Sequence, residues 1–167
     1  ALVCNDDEIA KEMYRIQNST GAVTAPMDSF LVLRGIKTLH LRVQRHCENG
    51  ATVAHWLKNH PKVGEVYWPG FETHPNHAVA KKQMKDFGGM ISFTLKDDAI
   101  DKALTFLKST ELFALAESLG GVESLVECPF NSSHMFVPEE VRMEAGVVPG
   151  FVRMSVGIED VEDIWND

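Results

Sequence analysis

Two stretches of the sequence combine residue types that can do chemistry. The first is Ala116-Glu117-Ser118-Leu119-Gly120-Gly121-Val122-Glu123-Ser124-Leu125. Its paired glycines allow a tight turn or a close backbone approach to a ligand. Glu117 and Ser118 follow directly on an apolar run, and strand ends are where α/β proteins place ligand sites. A plain turn with a solvated glutamate fits the same spacing. The second is Arg153, within Val152-Arg153-Met154-Ser155-Val156-Gly157. Val152, Met154 and Val156 share one face of an alternating strand, and Arg153 stands on the other. A guanidinium there can clamp a carboxylate through paired N–H donors. It can equally lie on an exposed sheet face, paired with a glutamate.

Histidine and cysteine give weaker signals. His74-Pro75-Asn76-His77 sets two histidines three apart. Metal sites want three or four ligands with supporting partners, and no cysteine or acid cluster lies near, so no metal is expected. The pair reads as a turn entering a helix, with both rings exposed. His40, His46 and His55 read as packing or surface residues on a long helix. Cys47 lies on an apolar stripe and reads as a small core residue. Cys128 precedes Pro129 at a strand end. No signature marks either as a nucleophile.

These residues must be positioned by a chain of 167 residues, which is about one domain. Residues 7–17 read as a helix, with acids in the first turn and Ile9, Met13 and Ile16 on one stripe. Leu33, Ile36, His40, Val43, Cys47, Ala51, Ala54 and Leu57 step by three or four residues. That predicts one long amphipathic helix from Pro26 to Leu57, whose interior Gly35 and Gly50 imply close packing or a break. Strands are expected over 63–68, 90–95 and 152–156, and helices over 74–86, from an Asp98 cap, and from Pro138 to Gly146. The short apolar runs 112–116 and 125–128 read as a hairpin-like pair around Gly120-Gly121. Strands separated by helices give an α/β or α+β layer. The opening run Ala1-Leu2-Val3-Cys4 reads as a strand in progress, and Asp160 as the start of a helix. Neither end looks natural, so a piece of a longer protein is expected.

Composition narrows the partners. The charges sum to 16 − 24 = −8, with 44% hydrophobic and 24% charged residues. That is an ordinary globular balance. The acidic excess argues against nucleic acid and anionic membranes as partners. No apolar run reaches the ~18 residues of a membrane span. Three scattered cysteines do not make a disulfide framework, which points to a reducing compartment, the cytoplasm.

Leu31-Val32-Leu33-Arg34-Gly35-Ile36-Lys37-Thr38-Leu39, Tyr67-Trp68-Pro69-Gly70 and Phe87-Gly88-Gly89-Met90-Ile91-Ser92-Phe93 join the 116–125 and 152–160 stretches, in order, as a pattern. Over essentially the whole chain it resembles the Cys/Met-metabolism pyridoxal-phosphate enzymes. The resemblance implies the C-terminal part of a fold-type I enzyme. Residues 1–45 would end the cofactor-binding large domain and start a connecting helix. Residues 46–167 would form a small domain, with a mostly antiparallel sheet and helices on one side.

The same resemblance assigns roles. Arg153 falls on the arginine that binds the substrate α-carboxylate. Ser118 falls on the catalytic-site serine beside the Schiff-base lysine. Glu117 matches the cystathionine γ-synthase and γ-lyase pattern, where it can meet a distal amino group. Leu119 and Ser133 fall on the pocket wall. Ser132-Ser133-His134-Met135-Phe136 departs from the usual Met-Thr-His-Ala-Ser, keeping a hydroxyl at Ser133 and adding bulk at Phe136. The lysine that holds pyridoxal 5′-phosphate would lie upstream of this chain, which alone should be inactive. The implied whole is a homotetrameric transsulfuration enzyme acting at Cγ of cystathionine or an O-acylhomoserine. O-acylhomoserine sulfhydrylase and methionine γ-lyase are the family alternatives. A non-catalytic packing or assembly domain is the alternative of another class.

Overall fold

The computed structural model describes residues 2–96 and 100–167. The chain divides into two compact units, Ala1–Leu39 and His40–Asp167. The first holds α1 (Asp7–Thr20) and α2 (Pro26–Ile36). The Asp6 carboxylate caps α1 by accepting the N–H groups of Glu8 and Ile9, both at 2.9 Å. Gly21, at φ 69°, ends it in the left-handed conformation that glycine adopts without a Cβ penalty. Leu2–Cys4 is not the expected strand. An extended segment becomes a strand only with a neighbour to complete its ladder, and none pairs with it among the described residues.

The single helix expected over 26–57 is two helices. α3 (Leu39–Asn59) follows α2 after a turn at Lys37-Thr38, just beyond Gly35. The two glycines thus do different things. Gly35 precedes the break. Gly50 is a close-packing site, where a Cβ would stand 2.6 Å from the Gly88 carbonyl oxygen and 2.8 Å from Gly89 Cα. The buried face of α3 carries Asn49, Gly50, Val53 and Ala54. Cys47 is only half-buried, so it is not the core residue its stripe implied.

The second unit continues with β1 (Val63–Tyr67), α4 (His77–Gln83), β2 (Met90–Leu95), α5 (Ile100–Ser109), β3 (Ala114–Leu115), β4 (Leu125–Glu127), α6 (Glu139–Glu144), β5 (Phe151–Ser155) and α7 (Val161–Asn166). The expected cap at Asp98 lies outside the described residues. The strands form one sheet in the order β1-β2-β5-β4-β3. All pairings are antiparallel except β3–β4, which is parallel. The expected hairpin is therefore absent. Residues 116–124 form a loop long enough to return the chain in its original direction, where a two-residue turn would have reversed it.

The sheet has two unlike faces. Ile91, Phe93, Val126, Val152 and Met154 pack with Val53 and Ala54 of α3, Ala103 and Leu107 of α5 and Ile164 of α7. On the other face a single cross-strand row runs Tyr67, Ser92, Arg153, Glu127 through β1, β2, β5 and β4. Period-2 alternation delivers both faces from the same strands.

Two predictions follow from this packing. Alanine normally stabilises a helix over glycine by ~1 kcal/mol. Gly50→Ala is expected to do the opposite and cost about 1–3 kcal/mol, because the atoms its methyl meets are backbone and cannot swing away. Denaturant unfolding of the two forms reads the sign. The Asp167 carboxylate accepts the N–H groups of Glu111, Leu112 and Phe113 at 2.6, 2.8 and 3.1 Å. Burial works against its charge, but these donors outweigh it and hold the pKa below the usual aspartate value. The resulting stability is present above the unfolded-state pKa of about 3.9 and is lost as pH falls through the lower folded value. Asp167→Asn should flatten that part of the acid-unfolding profile.

Candidate functional site

Arg153 is mid-strand on β5, opposite Glu127 of β4 and Ser92 of β2. Its Nη2 donates to Glu127 Oε1 at 2.8 Å, to the Glu117 carbonyl at 2.6 Å and, more weakly, to the Ser118 carbonyl at 3.4 Å. The Nε and Nη1 groups have no partner among the described residues. The side chain is 20% exposed, while that of Glu127 is 1% exposed. Only the second sequence reading of Arg153, an arginine paired with a glutamate on a sheet face, meets its geometry here, and that in part. It is paired with a glutamate, yet it does not lie on an open sheet face, and a cationic edge remains unengaged.

Glu127 and Ser132 are the residues that sequence reasoning missed. Glu127 was absorbed into the apolar run 125–128. The signal was one charged residue between Val126 and Cys128, where period 2 puts it on the face of Leu125 rather than of Val126. A fully buried carboxylate must be paired and hydrogen-bonded. Besides Arg153, Glu127 accepts from Ser132 Oγ at 2.6 Å and Ser133 Oγ at 3.1 Å. Ser133 is therefore tied to Arg153 through Glu127, and its hydroxyl also lies 3.0 Å from His134 Nδ1.

The loop 116–124 brings the other predicted residues alongside through its backbone. Gly120, at φ 75°, donates its N–H to Ser155 Oγ at 2.8 Å. Ile158 donates to the Val122 carbonyl at 2.9 Å. The Glu159 carboxylate accepts the N–H and the hydroxyl of Ser124 at 2.6 and 2.9 Å. So anchored, the loop aims the Glu117 and Ser118 carbonyls at Arg153 and leaves the side chains of Glu117, Ser118 and Leu119 exposed. Phe136 is 92% exposed. A cleft of about 270 Å³ lies against Glu117, Glu127 and Ser132, lined also by Leu104, Leu107 and Leu115. Arg153 does not line it.

The histidines are engaged locally. His77 Nδ1 donates to the Pro69 carbonyl at 2.8 Å, and its ring stacks on Phe87. His74 Nδ1 accepts the Asn76 N–H at 3.2 Å. Both rings are half-buried rather than exposed. His46 donates to the Val156 carbonyl at 2.7 Å, and His55 packs edge-on against Trp68 and Phe71. Among the described residues no three His, Cys, Asp or Glu side chains are grouped to hold a metal ion. No described helix is long and apolar enough to cross a membrane.

Burial, with the Glu127 charge adding to it, pushes the Cys128 thiol pKa up against the backbone N–H donors of Asn131 and Phe130. Its Sγ donates to the Pro149 carbonyl at 3.4 Å. The thiolate is the reactive form. Iodoacetamide at neutral pH is therefore expected to label exposed Cys4 well before Cys128, which should react only on unfolding. Peptide mass spectrometry over time reads the order.

A family model described as Cys/Met metabolism PLP-dependent enzyme matches residues 1–167. A cystathionine beta-lyase of Coxiella burnetii is 50% identical over 167 residues, covering 100% of this chain and 43% of that protein. A cystathionine gamma-lyase of Dictyostelium discoideum is 48% identical, covering 99% of this chain and 43% of that protein. Among solved structures, a cystathionine gamma synthase from Xanthomonas oryzae pv. oryzae superposes with a TM-score of 0.91 at 42% identity, over 99% of this chain and 42% of that one. The chain thus spans less than half the length of these relatives. With a family match over every residue and a shared fold at this identity, the chain belongs to the Cys/Met metabolism PLP-dependent enzymes.

Proposed function

We propose that this chain is the C-terminal, carboxylate-binding part of a transsulfuration enzyme acting at Cγ of cystathionine or an O-acylhomoserine. The observation that carries the reading is Arg153, held from one end by buried Glu127 and by loop carbonyls, with Nε and Nη1 unengaged. A guanidinium so constrained is preorganised for an anion, and a substrate α-carboxylate supplies one. In this reading Arg153 orients the amino acid, Ser118 offers a hydroxyl beside it, and exposed Glu117 meets a distal ammonium. Leu119 and Ser133 belong to the surrounding wall. Glu117 favours a cystathionine-sized substrate over methionine, whose far end carries no charge.

The family's cofactor does not fit this chain alone. A Schiff-base lysine works desolvated, whereas every lysine among the described residues is exposed. In the proposed enzyme, the cofactor lysine and phosphate-binding groups belong to a large domain that also includes residues 1–45, and residues 46–167 form the small domain. The chain by itself is inactive, and the whole enzyme works as a cytoplasmic homotetramer.

The test uses the full-length enzyme with L-cystathionine. Cleavage at Cγ releases cysteine and, after hydrolysis, 2-oxobutanoate and ammonia. O-acylhomoserine with cysteine would instead yield cystathionine in a synthase. Pyruvate with homocysteine overturns the Cγ assignment. Truncating one member of a desolvated charge pair costs roughly 2–5 kcal/mol. Arg153→Ala should therefore lower kcat/KM by at least about thirtyfold, chiefly through KM.

A further inference from the structure

We propose that Glu127 is a positioning residue: it sets the orientation of the Arg153 guanidinium and thereby the enzyme's affinity for the substrate carboxylate. This deepens the proposed function and rests on Arg153 receiving that carboxylate. Glu127 is the most deeply buried acid among the described residues, at 1% exposure, and Arg153, Ser132 and Ser133 converge on its carboxylate. A buried ion pair is weak evidence for stability, because apolar residues of similar volume often do as well. Its worth here is geometric. Oε2 takes the Ser132 hydroxyl, and Oε1 takes the Ser133 hydroxyl together with Arg153 Nη2. Both carboxylate oxygens are therefore fixed before Arg153 is met. Because Glu127 and Arg153 are register partners on neighbouring strands, their backbones hold the pair in line as well.

Two physical effects of removing the charge have opposite signs. By electrostatics alone, Glu127→Gln frees a cation from a competing anion and strengthens its hold on any carboxylate. By positioning, the same change lets the guanidinium rotate, and carboxylate binding weakens. Positioning is expected to win, because the amide offers one acceptor oxygen where the carboxylate offers two: Nη2 must share it with the Ser132 and Ser133 hydroxyls and otherwise keeps two loop carbonyls, one of them at 3.4 Å.

The experiment is calorimetric titration of the full-length enzyme with L-alanine and with L-alaninamide, which differ at the carboxylate alone. The wild type should prefer L-alanine. Glu127→Gln should cut that preference at least about tenfold, and Glu127→Asp, which keeps the charge, should restore part of it. An unchanged or enhanced preference in Glu127→Gln overturns the proposal. Arg153→Ala separates the two readings. If it keeps the preference, the carboxylate assignment itself fails. If it abolishes the preference while Glu127→Gln does not, only the positioning role fails. Should Glu127→Gln not fold, Ser132→Ala with Ser133→Ala removes the other donors and leaves the charge. A weakened preference in that variant supports the role, and an unchanged one overturns it.

Discussion

The ion pair between Glu127 and Arg153 constrains everything around it. A carboxylate this deeply buried is tolerable only if its charge and lone pairs are met. That requirement brings three separate parts of the chain together. β5 supplies the cation, β4 the anion, and the segment after β4 the two serine hydroxyls. β4 is only three residues long, yet all three are buried. Its short span is secured by neighbours on both sides and by this pair on its polar face.

The loop that completes the surroundings of Arg153 is held by polar anchoring rather than by apolar packing. Ser124 stands at the centre. Its N–H and hydroxyl meet Glu159, and its oxygen accepts the Gly157 N–H at 2.9 Å. Buried Asn49 of α3 donates to the Gly157 and Glu159 carbonyls at 3.1 and 2.9 Å. That reach depends on α3 approaching the sheet end closely, which Gly50 against Gly88-Gly89 permits. A side chain on Gly50 would lift the helix and strain the bonds that Asn49 makes. Helix docking, loop placement and guanidinium orientation are thus coupled through a few fully satisfied polar groups, an arrangement that rigidifies where an incomplete one would cost.

The sheet separates stability from chemistry. Its apolar face meets α3, α5 and α7 and carries the core. Its opposite face carries the row from Tyr67 to Glu127, in which Arg153 and Glu127 pair with each other. Function needs a residue that is restrained yet unsatisfied. Arg153 meets that description because its three acceptors all crowd on one nitrogen.

The sequence by itself determined the local elements. Period-2 alternation marked β2 and β5, first-turn acids and an apolar stripe marked α1, and Arg153 was recognisable as an arginine on the polar side of its strand. These follow from nearest-neighbour sterics and burial periodicity, which a linear string carries. Tertiary structure decided the rest. The parallel β3–β4 pairing and the unpaired Leu2–Cys4 segment depend on which neighbours are available. So does the partner of Arg153, twenty-six residues back along the chain at Glu127. No pattern within either strand names the residue opposite. Register across strands is a long-range choice made by the whole sheet as it buries one face and satisfies the other.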